Sequence, residues 1–329
     1  MKTIVKVEIV ILVLVILVAV VMTLADEGVF SLLKEPVLVE REAPPIPAEP
    51  VAEAVPETVP EETEEPDQPE LRPLTAKRWF AYDIREGAYL QKQGDEHKKL
   101  YPASITKLLT CHTLLTCMDP EDKVTVGDAL ALVKADSSVA GLQEGDVLTV
   151  EQLVAAMMLP SGNDAAQVAA VAAGRAIGGR DLSNVQAVEC FVEAMNKEAE
   201  CLGMEDSHFV NPDGWHHENH YTSMHDLVLL SQTVLTNPVI LKYTGMPELT
   251  VKLGDREKTW KNTNMLLHES METYLPNTIG MKTGYTNAAG DCLVTAFFET
   301  DRILLIGVFG CPNLSKDRYL DTVAIYNSL

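Results

Sequence analysis

The sequence lacks any concentration of positive charge. Lys and Arg number 26 against 48 Asp and Glu, a formal net charge of −22 over 329 residues. Without a basic stripe to neutralise phosphates, nucleic acid is excluded as a partner. Cysteine is equally uninformative as a framework. The six present (Cys111, Cys117, Cys190, Cys201, Cys292 and Cys311) form no CxxC and no dense spacing, so they read as buried free thiols. Cys111 and Cys117 lie six apart on one predicted helix and face different ways. Cys292 and Cys311, on adjacent predicted strands, are the one pair worth checking. No internal repeat and no HExxH occur, which removes solenoids and the commonest helical zinc-peptidase signature.

What is present is uneven along the chain. Ile9–Ala25 is a run of uncharged, almost wholly apolar residues preceded by Lys2 and Lys6. Its length reaches the lower limit for a spanning helix, and Thr23-Leu24-Ala25 also resembles a signal-peptidase site. Residues 1–25 are therefore expected to be a membrane anchor or a signal segment. Either places the rest of the chain on the extracytoplasmic side, the lysines staying in the cytoplasm.

Residues 26–74 form the second region. Residues 26–70 hold fourteen acids against Lys34 and Arg41, and ten of the eighteen prolines fall between Pro36 and Pro73. Proline removes backbone donors and like charges repel, so an extended, unpacked acidic linker is expected there.

From about Thr75 the composition becomes globular, and residues 75–329 are expected to form one domain. Arg78–Ile84 and Ala88–Gln91 read as strands around a turn at Glu86-Gly87. Ile105–Cys117 and Val150–Leu159 read as helices, the second opened by a capping box at Thr149 and Gln152. Cys292–Glu299 and Ile303–Phe309 read as a hairpin, and Lys316–Leu329 as a closing helix. Strands at both ends around a helical middle predict an α+β fold whose antiparallel sheet is assembled from both ends of the domain.

Three short motifs occur in order: Ser104-Ile-Thr-Lys107, Ser161-Gly162-Asn163 and Lys282-Thr283-Gly284. Such an SxxK, SxN and KTG set serves acyl transfer in penicillin-binding proteins and class A β-lactamases. A serine hydroxyl is a weak nucleophile until a base takes its proton, and Lys107 lies one helical turn from Ser104 on the same face. That amine works as a base only if burial lowers its pKa. The helix N-terminus supplies N–H groups where an oxyanion would form. Ser161 and Asn163, after Pro160, are expected on a loop facing a cleft, as proton shuttle and substrate-holding amide. Lys282 and Thr283 suit a terminal carboxylate, on an edge strand where Gly284 leaves room for substrate backbone. Ser31-Leu-Leu-Lys34 is a second SxxK, discounted because it sits in the linker with no fold around it.

With these motifs, the blocks YPASITKLLT, TVEQLVAAMMLPSGNDAA, FVNPDGW, NTNMLLH and IGMKTGYTNAAGDCLV resemble the D-alanyl-D-alanine carboxypeptidase family, the low-molecular-mass penicillin-binding proteins, over roughly residues 77–325. The resemblance implies a penicillin-binding, β-lactamase-like serine fold and acylation of Ser104 by the penultimate D-Ala of peptidoglycan stem peptides. It implies Lys107 as base, Ser161 as proton relay, Asn163 as substrate-positioning, and Lys282 and Thr283 as carboxylate site. The N–H groups of Ser104 and Tyr285 would form the oxyanion hole. β-Lactam antibiotics would be covalent inhibitors, and no metal or other cofactor is implied.

Two departures stand out. Many family members carry a second β-rich domain and a C-terminal amphipathic anchor; this sequence ends at Leu329, so membrane attachment is expected through the N-terminal apolar run. Asp213-Gly214-Trp215 replaces an expected Gly-Leu and leaves that loop's substrate contact open. The histidines of Trp215-His216-His217-Glu218-Asn219-His220, with His225 nearby, are expected to be solvated loop residues. Two rivals remain: a class A β-lactamase, for which no convincing deacylating Glu follows the second motif, and a catalytically silent, tethered cell-wall binding protein.

Overall fold

A computed structural model describes residues 73–312 and 316–329. The apolar run, the acidic linker and the Ser31–Lys34 motif lie outside the described residues. Among the described residues no helix is long and apolar enough to cross a membrane.

The chain opens with an antiparallel pair, β1 (Arg78–Asp83) and β2 (Ala88–Gln93). A 3-10 turn at Ala103–Thr106 leads into α1 (Lys107–Cys117). A small ribbon, β3 (Lys123–Thr125) and β4 (Val147–Thr149), precedes α2 (Val150–Met158), α3 (Asn163–Gly178) and α4 (Asn184–Cys201). Helices α5 (Met224–Thr236) and α6 (Pro238–Thr244) follow, then a hairpin of β5 (Glu248–Leu253) and β6 (Arg256–Lys261). Three long strands, β7 (Thr278–Thr286), β8 (Gly290–Glu299) and β9 (Arg302–Cys311), and helix α7 (Asp317–Asn327) close the domain.

Local chemistry sets the helix starts. Thr149 and Gln152 form the expected capping box on α2, and Ser183 with Gln186 forms another on α4. Ser223 accepts from the Asp226 N–H at the head of α5, and Asn237 caps α6 just before its Pro238.

The main sheet runs β2-β1-β9-β8-β7, all antiparallel. First and last strands therefore pair, Phe80 opposite Gly307, as the α+β reading required. The carboxylate of Asp321 on α7 binds the Thr75 and Ala76 N–H groups at 2.9 and 2.7 Å, tying the start of the domain to its end. Side chains alternate across the sheet. Val294, Ala296, Leu305 and Phe309 join the core shared with the helices, whereas Leu293, Phe297, Leu304, Ile306 and Val308 pack with Tyr319 and Ile325 of α7. Burial on both faces explains why β8 and β9 read as continuous apolar runs.

The same alternation settles the cysteines. All six are free, Cys111, Cys292 and Cys311 buried but Cys201 exposed, so burial holds for only part of the set. Cys292 packs in the core shared with the helices and Cys311 in the core beneath α7, on opposite faces of the sheet, so the two do not pair.

Candidate active site

Helix α1 is buried on nearly every side, from Lys107 through Leu114. A helix with no solvent-facing stripe is a core helix, and Lys107, its first residue, is wholly buried with it. Burial lowers the Lys107 pKa to about 8, against the opposing pull of the Asp213 charge. Ser104 sits in the preceding 3-10 turn, where residues three apart eclipse. The geometry meets the expectation: Lys107 Nζ lies 2.9 Å from Ser104 Oγ.

The remaining partners of that amine decide its chemistry. Lys107 Nζ donates to Asn163 Oδ1 at 2.7 Å and to the Asp213 carbonyl at 2.7 Å. Both are acceptors only. When Lys107 is neutral its two N–H bonds satisfy those oxygens, and its lone pair must face the one partner that carries a proton, the Ser104 hydroxyl. A neutral Lys107 is thus left one orientation, with its lone pair toward the Ser104 hydroxyl.

Asn163 corrects the expectation of a loop position. It is the first residue of α3, buried and hydrogen-bonded to Lys107, and its N–H donates to the Ser138 carbonyl at 2.8 Å. Ser161 does lie on the connection after α2, buried, with a left-handed φ of 61°. Such a backbone is costly for a non-glycine residue and persists where surrounding structure enforces it. Asp164, next along, accepts from the N–H groups of Ala140, Gly141 and Leu142 at 2.8–3.0 Å, anchoring the facing loop.

The third motif lies on β7, the sheet edge, as expected. Lys282 is fully buried, and its pKa is held well below the usual lysine range by desolvation and then by the Lys107 and Arg318 charges. Thr283 Oγ1 lies 2.6 Å from Thr263 Oγ1, and the Thr263 N–H donates to the Leu159 carbonyl at 3.0 Å. Thr263 therefore stitches the KTG strand to the Ser161 connection. Gly284 does not simply leave space for substrate. A Cβ there would stand 2.8 Å from the Pro102 carbonyl and 3.2 Å from the Ser104 N. The glycine lets β7 press against the nucleophile turn, bringing the 284–285 segment beside the Ser104 amide. Tyr285 is partly exposed at the rim, its hydroxyl donating to Asn287.

Four further residues, Asp213, Gly214, His220 and Arg318, carry no signal in isolation. Asp213 is buried, its carboxylate held by Gln167 Nε2 and the Trp215 N–H at 2.9 Å each, and its carbonyl binds Lys107. The loop that departs from Gly-Leu is thereby held against Lys107. Gly214 has φ +84°, and a Cβ would fall 1.9 Å from the Ala103 carbonyl. Gly214→Ala is expected to cost at least about 1 kcal/mol from φ alone. Because the clash is with the nucleophile's own turn, penicillin labelling should fall more than thermal unfolding temperature indicates; calorimetry beside labelling kinetics checks this.

His220 corrects the reading of solvated loop histidines. His216 and His217 are exposed, but His220 is buried and its pKa falls to about 3, chiefly through desolvation. Its Nδ1 accepts from the Val210 N–H at 3.2 Å, which leaves the proton on Nε2, 2.8 Å from Thr106 Oγ1. Thr106 in turn donates to the Ala103 carbonyl at 2.8 Å, holding a residue with φ 49° immediately before Ser104. Arg318, on α7, donates to the Gly284 and Cys292 carbonyls at 3.0 and 3.3 Å and pairs with Asp291 at 3.1 Å. Only the fold brings these residues to the motifs.

Comparison with known proteins agrees with this geometry. A sequence model of the D-alanyl-D-alanine carboxypeptidase family matches residues 62–313. The carboxypeptidase DacF of Bacillus subtilis is 31% identical over 221 residues, covering 66% of this chain and 52% of that protein. DacD of Escherichia coli is 33% identical over 262 residues, 75% and 61% of the two chains. The chain thus spans roughly half to three-fifths of the length of these relatives. Among solved structures, the Streptomyces K15 DD-transpeptidase superposes with a TM-score of 0.70 at 28% identity, over 78% of this chain and 97% of that one. Penicillin-binding protein 6B of Escherichia coli does so with 0.65 at 30% identity, over 80% of each. With its three motifs converging on one buried lysine, this chain belongs to the D-alanyl-D-alanine carboxypeptidase family and carries the α+β penicillin-binding fold.

Proposed function

We propose that this chain is a serine D-Ala-D-Ala carboxypeptidase that removes the terminal D-Ala from peptidoglycan stem peptides through an acyl-enzyme on Ser104. The observation that carries the reading is the contact between Lys107 Nζ and Ser104 Oγ, with acceptor-only partners on the other two sides of the amine. Neutral Lys107 takes the hydroxyl proton as Oγ attacks the penultimate D-Ala carbonyl carbon. The Ser104 and Tyr285 N–H groups stabilise the resulting oxyanion. The C–N bond then breaks, Ser161 passes a proton to the departing D-Ala amine, and water hydrolyses the ester. Asn163 orients the substrate amide, and Lys282 and Thr283 hold the terminal carboxylate. The incoming anion restores a counter-charge beside Lys282 and so favours its protonated form. β-Lactams acylate the same serine.

The enzyme works at the extracytoplasmic membrane face, tethered through Ile9–Ala25 and spaced by the acidic linker; the supporting observations are the apolar run and the lysines before it. Product analysis on a pentapeptide ending in D-Ala-D-Ala tests the activity: equimolar free D-Ala and tetrapeptide are expected. The K15 structure is titled a DD-transpeptidase, which supports acyl transfer to an amine as a second reading. Adding an amine acceptor separates the two, since a transpeptidase would divert the acyl group into a new amide. Rapid, repeated hydrolysis of penicillin would instead mean a β-lactamase.

A further inference from the structure

Away from Ser104, three side chains from separate stretches of chain meet at the surface. His97 follows β2, Asp206 lies in the turn after α4, and His225 is in the first turn of α5. Their ligand atoms all lie within 4.8 Å of one another. His97 Nδ1 stands 2.8 Å from Asp206 Oδ2, and the rings of His97 and His225 are 4.8 Å apart at 35°. We propose that His97, Asp206 and His225 form a divalent-cation site of the zinc type, which clamps these three stretches together.

The chemistry fits that ion class. Two imidazoles and one carboxylate with an open side are a common zinc donor set, whereas magnesium and calcium prefer oxygen ligands throughout. Zinc bonds of about 2.1 Å place tetrahedral donor atoms roughly 3.4 Å apart. The spacings seen here bracket that value, so side-chain shifts of about 1 Å suffice. The ion would take the place of the proton now shared by His97 and Asp206.

The backbone beneath is already assembled. The His225 N–H donates to the Glu96 carbonyl at 3.0 Å, placing residues 97 and 225 side by side. The buried Asp226 carboxylate accepts from the Asp206 N–H at 2.9 Å and from Ser207 Oγ at 2.6 Å. Its other oxygen lies 3.4 Å from His225 Nδ1, the outer carboxylate that orients many metal-binding histidines. Leu100 and Thr222, three residues from His97 and His225, exchange backbone hydrogen bonds at 2.8 and 2.9 Å. The clamp therefore closes the base of two segments, one leading to Ser104 and the other returning from Asp213 and His220. Its role is structural, and it stands whichever acyl acceptor the enzyme uses.

Equilibrium dialysis of the untagged, chelator-treated full-length chain against zinc tests the site, with His97→Ala/His225→Ala and His216→Ala/His217→Ala beside the wild type. One zinc per chain is expected, unaffected by excess magnesium, with affinity at least about tenfold lower in the first variant and unchanged in the second. Zinc should raise the unfolding temperature of the wild type and the second variant only. Fluorescent-penicillin labelling reports whether the first variant is folded; if it is not, Asp206→Asn carries the comparison, with the same tenfold loss expected. No stoichiometric zinc, equal binding by the His97/His225 variant, or loss on removing His216 and His217 would each overturn the proposal.

Discussion

Ser104→Ala should abolish covalent labelling by a fluorescent penicillin and lower D-Ala release by about 10⁴-fold or more, while Ser31→Ala leaves both unchanged. Removing a nucleophile deletes the acyl-enzyme, and members of such a unit act together, so little remains beyond substrate binding. The contrast between the serines follows from their surroundings. Ser104 stands 2.9 Å from the amine of a fully buried lysine, in a turn pinned by Gly214, Gly284 and the Thr106–His220 pair. Ser31 begins the same four-residue pattern at the head of the proline-rich acidic linker, where ten prolines and fourteen acids oppose packing. Labelling that survived Ser104→Ala and disappeared with Ser31→Ala would reverse the assignment.

The second large effect concerns Lys107. Its ammonium form has no lone pair and cannot accept the Ser104 proton, so only the neutral fraction is active. With a pKa of about 8, roughly one molecule in ten is neutral at pH 7. Acylation by penicillin should therefore rise close to tenfold per unit below that value and level off above it. Lys107→Met removes the base and Lys107→Arg replaces it with a group that stays charged, so both should slow acylation by about 10²–10⁴-fold. The arginine variant should show no recovery between pH 7 and 9. Stopped-flow acylation across this range is the measurement. A flat wild-type profile would show that Lys107 is not the titrating base, whatever its distance from Ser104.

The chemistry was legible in the sequence because it is local or rare. Ser104 and Lys107 are one turn apart, and the Lys282-Thr283-Gly284 triplet is uncommon by chance. The β8–β9 hairpin was equally plain, since strands buried on both faces must be apolar throughout. Asn163 was misplaced on a loop because Gly162 and Pro160 suggest a turn, yet α3 begins at Asn163 itself. The local turn signal lost to the packing of an alanine-rich helix buried on most of its faces.

What the sequence by itself determined is the identity and order of the three motifs, together with an α+β domain whose ends share one sheet. Their types and short-range spacing already demand that chemistry. Only the tertiary structure decided how loosely Lys107 holds its proton and where its amine points. Its lowered pKa comes from burial by α1's surroundings, and its orientation from Asn163 and the Asp213 carbonyl, 56 and 106 residues away in the chain. The same holds for His220, which looked like one of a row of surface histidines but supports the strained turn before Ser104. Desolvation and long-range hydrogen bonds depend on which atoms exclude water from a point in space, and no linear pattern encodes that.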